Sequence, residues 1–350
     1  MSTSFSSLPI ISLKALASTT SIDEDEDLKD LSKQLYSVFA TTGFAYLTDL
    51  PLSFGHEDVF GLARKFFALP EEEKMGIAKR SFRRENGNTY RGYFPTQPLT
   101  ASDNLKEGFE MGPPTPLTTP SQTSKSSKFN LSEPNVWPDE GTFPARKEME
   151  KLYAELQDLA SRLLSLLAVS LGKDEGFFTP YLEDSLSTLR LLHYPSRGEP
   201  PSDADKEKDA GTGEVKLSCT QHTDSGILTL LHQDPTGGLE VQDSTGKWVP
   251  APYVPGSMVV NIGDLMAQVS GGRFVATMHR VRAPTGSAAA AAGAGDGFGR
   301  FSVPFFFEPG ERCVVRSVDD AGDGEGVVYG DHVREKMKTW VEFRDEDEDE

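Results

Sequence analysis

Three residues of this chain carry side chains suited to metal chemistry. His222 and Asp224 stand two positions apart in QHTDSGILTLL, residues 221–231, and His279 lies in FVATMHRVRAP; all sit in runs that otherwise read as buried strands. Side chains two apart on a strand share a face, so His222 and Asp224 project together. Taken alone, a His-x-Asp tripeptide is most simply a surface pair near a strand end. The third candidate shifts the balance. Two imidazoles and one carboxylate gathered on one side of a metal leave the opposite positions open, an arrangement suited to non-haem iron(II) with room for a cosubstrate and dioxygen.

A second constellation follows downstream. Arg300 and Ser302, in RFSVPFFFEP, would share a strand face. A guanidinium presents a planar fork of donors that grips a carboxylate with two parallel bonds and stays charged at any relevant pH. The plain alternative pairs Arg300 with one of the many nearby acidic residues. The remaining histidines read as packing or surface groups: His193 and His232 lie beside apolar strand positions, and His56 and His332 have no evident partners. Cys219 differs in parity from His222, so a regular strand points it to the other face. Gly237–Gly238 and Gly271–Gly272 read as turns, and Phe305, Phe306 and Phe307 as core on both faces of a sheet.

The elements that must position these groups fall into two regions. Up to about residue 135 the pattern is strand, helix, strand, helix: LPIISL, then LKDLSKQLYSVFATTG with apolar residues at helical spacing, FAYLTDL, and GLARKFFALPEEEKM. Residues 113–134 are rich in Pro, Ser and Thr and read as a surface loop. From about Pro144 to Leu171, leucines at positions 152, 156, 159, 163, 166 and 167 recur at threes and fours, which predicts a long spine helix. Beyond Tyr181, eight short β-type runs bounded by Gly, Pro and Asp predict a sandwich or barrel. The predicted division is 1–135, 136–345 and an acidic tail at 346–350; the stretches 199–214 and 285–297 read as solvated loops.

Composition narrows the partners. A formal charge of −19 repels phosphate backbones and anionic lipid, and no basic patch offsets it, so neither nucleic acid nor a membrane is expected. Two cysteines, neither in a metal-type spacing, fit a reducing compartment. With no leader-like start and no run long enough to span a bilayer, the expected location is the cytoplasm. Oligomeric state is not legible.

The ordered series of motifs resembles the isopenicillin N synthase-like branch of Fe(II)/2-oxoglutarate-dependent dioxygenases over nearly the whole chain. LPIISL, TTGFAYLTD, FFALPEEEKM, RGYF, NLKEGFEMG and PNVWPD come in the family's order, followed by RLLHYP, QHTDSGILTLLHQD, GGLEVQD, PGSMVVNIGDLMAQVSGGRFVATMHRV and RFSVPFFFEP. The resemblance implies a mainly β fold, a double-stranded β-helix or jelly roll with flanking helices and an N-terminal α/β region. It implies that His222, Asp224 and His279 hold Fe(II), and that Arg300, Ser302 and Tyr194 anchor the distal carboxylate of 2-oxoglutarate. The implied activity is oxidation of a small organic metabolite by dioxygen, as hydroxylation, desaturation or ring rearrangement in specialised metabolism. Tyr93, Phe94 and Phe109 are expected to line the substrate pocket. Two other readings stand beside it: an iron oxidase of the same fold that uses no 2-oxoglutarate and binds its substrate's own carboxylate at Arg300 and Ser302, and a non-catalytic jelly-roll binding protein.

Overall fold

A computed structural model describes residues 4–96, 106–115, 129–195, 217–283, 299–320 and 326–337. The expected loops at 199–214 and 285–297 and the tail at 346–350 lie outside the described residues. Among the described residues, no helix is long and apolar enough to cross a membrane.

The N-terminal alternation folds as its pattern predicts. Strand β1 (Ile10–Ser12) pairs in parallel with β2 (Phe44–Thr48), and helix α1 (Glu26–Phe39) joins them. The α1 N-terminus is capped by Asp25, whose carboxylate accepts from the backbone N–H groups of Asp27 and Leu28. Helices α2 (His56–Phe67) and α3 (Glu71–Gly76) follow, broken by Pro70. The predicted spine is α4 (Arg146–Ser170), and all six of its patterned leucines are buried. Each such side chain contributes roughly 1.5–3 kcal/mol by leaving water, so this face fixes the helix against the sheet.

Among the described residues the strands build a large sheet, a small sheet and a separate two-stranded ribbon of Val314–Val315 with Val327–Val328. The large sheet has the order β1-β2-β10-β7-β12-β5-β4-β3, with β3 Gly92–Phe94, β4 Glu107–Met111, β5 Thr188–Pro195, β7 Leu228–Gln233, β10 Met258–Ile262 and β12 Gly299–Phe307. The small sheet is β6-β11-β8-β9, with β6 Leu217–His222, β8 Leu239–Gln242, β9 Trp248–Pro250 and β11 His279–Arg282. All eight β-type runs after Tyr181 are therefore strands. β3 and β4 lay in stretches not read as strands; they extend the large sheet beyond β5.

Strand alternation sorts the large sheet into two chemically different faces. One face carries Leu47, Val260, Leu230, Val303, Phe305, Leu191 and Phe109 into the main core beneath α1, α2 and α4. The other carries Phe44, Tyr46 and Val259 against Leu239, Val241 and Val281 of the small sheet, forming the inside of the jelly roll. Polar groups on this inner face are the ones placed to meet a ligand.

His232 on β7 shows the cost of a polar group on the helix-covered face. It is 3% exposed, its Nε2 has no hydrogen-bond partner among the described residues, and burial, assisted by His56, pushes its pKa down to about 4. The folded state therefore binds a proton less readily than the unfolded chain. Stability should fall as pH drops from 6.5 through about 4, by on the order of 3 kcal/mol from this group alone. In urea titrations across that window, His232→Gln should show a shallower loss than wild type; parallel curves would contradict this assignment.

Candidate metal centre

The site is built where the small sheet meets the inner face of the large one. His279 opens β11 and pairs directly with His222 at the end of β6, and their rings lie 4.3 Å apart between centroids. Asp224 follows two residues later, in the turn toward β7. That turn is held by backbone bonds: Asp264 N–H donates to the Asp224 carbonyl at 2.7 Å, Gly263 N–H to Ile227 at 3.1 Å and Leu265 N–H to Gly226 at 3.1 Å. A side chain at Gly263 would press into the Gly226 carbonyl, so glycine lets the two segments touch.

Each of the three groups turns one atom inward and ties the other down. Nε2 of His222 and Nε2 of His279 lie 3.8 Å and 3.7 Å from Asp224 Oδ1, and one ligand atom from each residue falls within 4.8 Å of the others. His222 Nδ1 meets the Thr220 carbonyl at 2.8 Å and His279 Nδ1 the Thr277 carbonyl at 3.1 Å, which puts the proton on Nδ1 and leaves Nε2 as the lone-pair donor. Asp224 Oδ2 accepts from Thr229 Oγ1 at 2.5 Å and Asn261 Nδ2 at 2.8 Å, leaving Oδ1 for the two imidazoles. Phe44 packs edge-on against the His279 ring at 5.2 Å.

The electrostatics suit a cation. Burial alone would raise the Asp224 carboxyl, but His279, His222 and the bonds from Asn261 and Thr229 outweigh it and hold the group below the usual carboxylate range. Burial pulls His279 down. His222 is the more open, with 41% of its side chain exposed; burial is outweighed by Cys219, Asp224 and the Thr220 carbonyl, and its pKa rises to about 9, so a cation binding at Nε2 would displace a proton there. An ionised carboxylate between two oriented imidazoles is a two-nitrogen, one-oxygen donor set that fits iron(II) on one side only.

Cys219 departs from expectation. It points inward with His222, its Sγ 3.9 Å from His222 Nδ1 and 3.7 Å from Lys106 Nζ. The register explains why: His279 faces His222 but Val281 faces Cys219, so three residues of β6 oppose two of β11. The irregularity breaks the alternation on which the opposite orientation was predicted.

Arg300, Ser302 and Tyr194 gather on the same inner face. Arg300 pairs with Tyr194, Ser302 with Leu192 and Gln233, and Phe306, of Arg300's parity, with Thr229, which bonds Asp224. Arg300 is 1% exposed; its Nε donates to the Gly237 carbonyl at 2.6 Å, and the Tyr194 ring lies 4.7 Å from Cζ. Neither terminal nitrogen of the guanidinium has a partner among the described residues.

The three expected pocket residues separate. Phe94 is on the inner side with Leu192 and Tyr194. Tyr93 and Phe109 are not; they face the helices, where Phe109 stacks on Phe66 at 4.4 Å and Tyr93 donates to Glu107 at 2.6 Å. Alternation along β3 and β4 is the cause, since neighbours in sequence take opposite faces. His193, on that same outer face, is a buried partner of Glu107 at 2.6 Å. Thr229 and Asn261 were not singled out, although a polar residue inside an apolar run is the same signal that marks His222 and Asp224.

The chain is similar to known proteins in sequence and in fold. The profile of the 2OG-Fe(II) oxygenase superfamily matches residues 185–309, and that of the non-haem dioxygenase N-terminal region, described from morphine synthesis, matches 8–140. A 2-oxoglutarate-dependent dioxygenase of Monascus ruber, citB, is 32% identical over 85% of this chain and 86% of its own. The chain belongs to the 2OG-Fe(II) oxygenase superfamily. This oxygenase is also 36% identical to the oxidoreductase hxnY of Emericella nidulans, over 71% of its own length and 65% of the relative's. Among solved structures, a full-length Neurospora crassa protein in complex with alpha-KG (2-oxoglutarate) and thymine superposes with a TM-score of 0.70 at 25% identity, covering 94% of this chain and 96% of that one. A putative 2OG-Fe(II) oxygenase from Caulobacter crescentus gives 0.72 at 27%, covering 95% and 99%. The oxygenase is thus a mainly β, jelly-roll enzyme that uses iron(II), 2-oxoglutarate and dioxygen.

If Thr229 and Asn261 orient the carboxylate, Asn261→Ala and Thr229→Val should each weaken Mn(II) or Fe(II) binding by about 10–100-fold. Anaerobic competition calorimetry measures this; unchanged affinity would show that Oδ2 needs no anchor.

Proposed function

We propose that His222, Asp224 and His279 bind the iron, that Arg300 with Ser302 binds the far carboxylate of 2-oxoglutarate, and that the enzyme oxidises a small organic metabolite. The carrying observation is the Arg300 fork: a fully buried guanidinium whose two terminal nitrogens face the inside of the jelly roll without a partner among the described residues. Leaving such a charge uncompensated costs several kcal/mol, so a site built this way supports the reading that an anion completes it. Small-molecule binding fits the relatives, since the Neurospora crassa protein is seen with thymine.

When bound, iron(II) activates dioxygen with 2-oxoglutarate as the two-electron donor, giving succinate, carbon dioxide and an oxidised substrate C–H bond. The chain's own residues do the positioning. His222, Asp224 and His279 would hold the ion from one side, leaving the opposite side to reagents. Thr229 and Asn261 hold the carboxylate so that its other oxygen would be free for the ion, and the Thr220 and Thr277 carbonyls fix the ring tautomers. The Gly237 carbonyl and the Tyr194 ring hold the Arg300 plane, so the cosubstrate meets a fork already aimed. Phe44, Leu192 and Phe94 keep water from the walls.

Anaerobic addition of Fe(II) and 2-oxoglutarate should produce a visible metal-to-ligand charge-transfer band. His222→Ala should abolish it. Arg300→Ala should weaken the apparent 2-oxoglutarate affinity by about 10–100-fold, the loss expected of charge-assisted hydrogen bonds. Turnover should release succinate; a band that survives in His222→Ala, or turnover without succinate, would contradict the assignment.

A further inference from the structure

The three candidate ligands all follow residue 220, but the groups that hold them lean on the N-terminal region. The point of contact is the corner between α1 and β2, residues 39–44. Its Gly43 has φ +69° and runs so close to the segment before β11 that a Cβ there would lie 2.2 Å from the Val275 carbonyl oxygen and 2.5 Å from Thr277 Oγ1. Only glycine permits that approach. Backbone and side-chain bonds cross the contact: the Val275 N–H donates to the Phe39 carbonyl at 2.9 Å, the Thr277 hydroxyl to the Thr42 carbonyl at 2.8 Å, and the Ile262 N–H to the Gly43 carbonyl at 3.1 Å. Phe274 is buried, and edge contacts from Tyr36 and Phe39, at 5.6 Å and 6.0 Å between centroids, pin the start of the segment to α1.

What this corner holds is the approach to His279. Residues 274–278 belong to no helix or strand, so no ladder sets their course; the bonds above do, together with the Gln242 N–H to the Met278 carbonyl at 2.8 Å. Thr277 acts twice. Its carbonyl meets His279 Nδ1 at 3.1 Å and fixes the ring tautomer, while its buried hydroxyl ties the same residue to Thr42. Valine would fill that space with no buried hydroxyl to satisfy; the threonine adds a directed bond instead. Phe44, the last residue of the corner, packs on the His279 ring and stands in register with Asn261, which donates to Asp224 Oδ2. The corner therefore reaches His279 through Thr277 and Phe44, and Asp224 through β10.

We infer that Thr277, clamped by Thr42 and Gly43, is a positioning residue that aims His279 Nε2 at the metal, so that the N-terminal region and the metal site are energetically coupled. This rests on the proposed function, in which His279 is a ligand, and adds a residue and a region to it. Coupling of this kind is reciprocal: as the clamp favours metal binding, bound metal favours the closed clamp.

The full chain is titrated anaerobically with Mn(II) by competition calorimetry and with Co(II) by its visible ligand-field absorption. Thr277→Val should weaken Mn(II) binding about tenfold, the low end of what losing an outer support costs, because the hydroxyl acts through a carbonyl. It should also alter the Co(II) spectrum, and Thr277→Ser, which keeps the hydroxyl, should restore both. Gly43→Ala should act like Thr277→Val from the opposite side of the contact. Hydrogen exchange supplies the reciprocal measurement on wild type alone: saturating Mn(II) should slow exchange of the Gly43, Ile262 and Val275 amides. The inference is overturned if Thr277→Val binds Mn(II) as tightly as wild type, if Thr277→Ser is as weak as Thr277→Val, or if Mn(II) leaves those amides unchanged. The exchange measurement needs no variant, so a misfolded Thr277→Val does not shield the idea. Failure of the proposed function reads differently: Mn(II) that does not bind wild type, or whose binding survives His222→Ala, removes the metal site and this inference with it, whereas binding lost in His222→Ala but kept in Thr277→Val removes this inference alone.

Discussion

The site depends on how one carboxylate is divided. Asp224 Oδ2 is occupied by Thr229 and Asn261, and only because it is occupied does Oδ1 stand fixed between two imidazole nitrogens. Thr229 and Asn261 come from neighbouring strands in direct register, so the pairing of β7 with β10 sets the orientation of the carboxylate. The same pairing places Val260 and Leu230 beneath the helices. Packing on one face and ligand geometry on the other are thus two readings of one register. A slip by a single residue would bury the ligand supports among leucines and turn the core toward the chamber.

That constraint explains the distribution of chemistry over the large sheet. The outer face holds leucines, phenylalanines and a closed polar group, Glu107 with Lys74, Tyr93 and His193, whose bonds are satisfied within the protein. The inner face holds a group that is incomplete by itself among the described residues, the open fork of Arg300. Satisfied polar groups rigidify a fold, whereas oriented and unsatisfied ones mark where a ligand belongs.

Much of this was legible in the residues because the signals were local. A polar pair inside an apolar run marked His222 and Asp224, leucines at threes and fours marked α4, and eight runs bounded by turn residues marked the strands that carry the site. What escaped were features set by pairing between distant segments. Cys219 was assigned outward by simple alternation, which fails where three residues of β6 face two of β11. Tyr93 and Phe109 looked like pocket aromatics because nothing in RGYF or KEGFEMG tells which way a short strand faces until β5 fixes it. Asn261 carried the same signal as the ligands, a polar side chain among buried valines, but its partner lies 37 positions away.

On the proposed reading a single anchored centre organises the interior, with a metal side at Asp224 and a cosubstrate side at Arg300. The most direct measurement is a crystal structure of the protein with Mn(II) and 2-oxoglutarate, with the ion located by anomalous scattering. One ion about 2.0–2.3 Å from His222 Nε2, His279 Nε2 and Asp224 Oδ1, with the far carboxylate of 2-oxoglutarate on both terminal nitrogens of Arg300, is the predicted result. An ion bound elsewhere, or an Arg300 fork engaged by a protein carboxylate, would contradict the account.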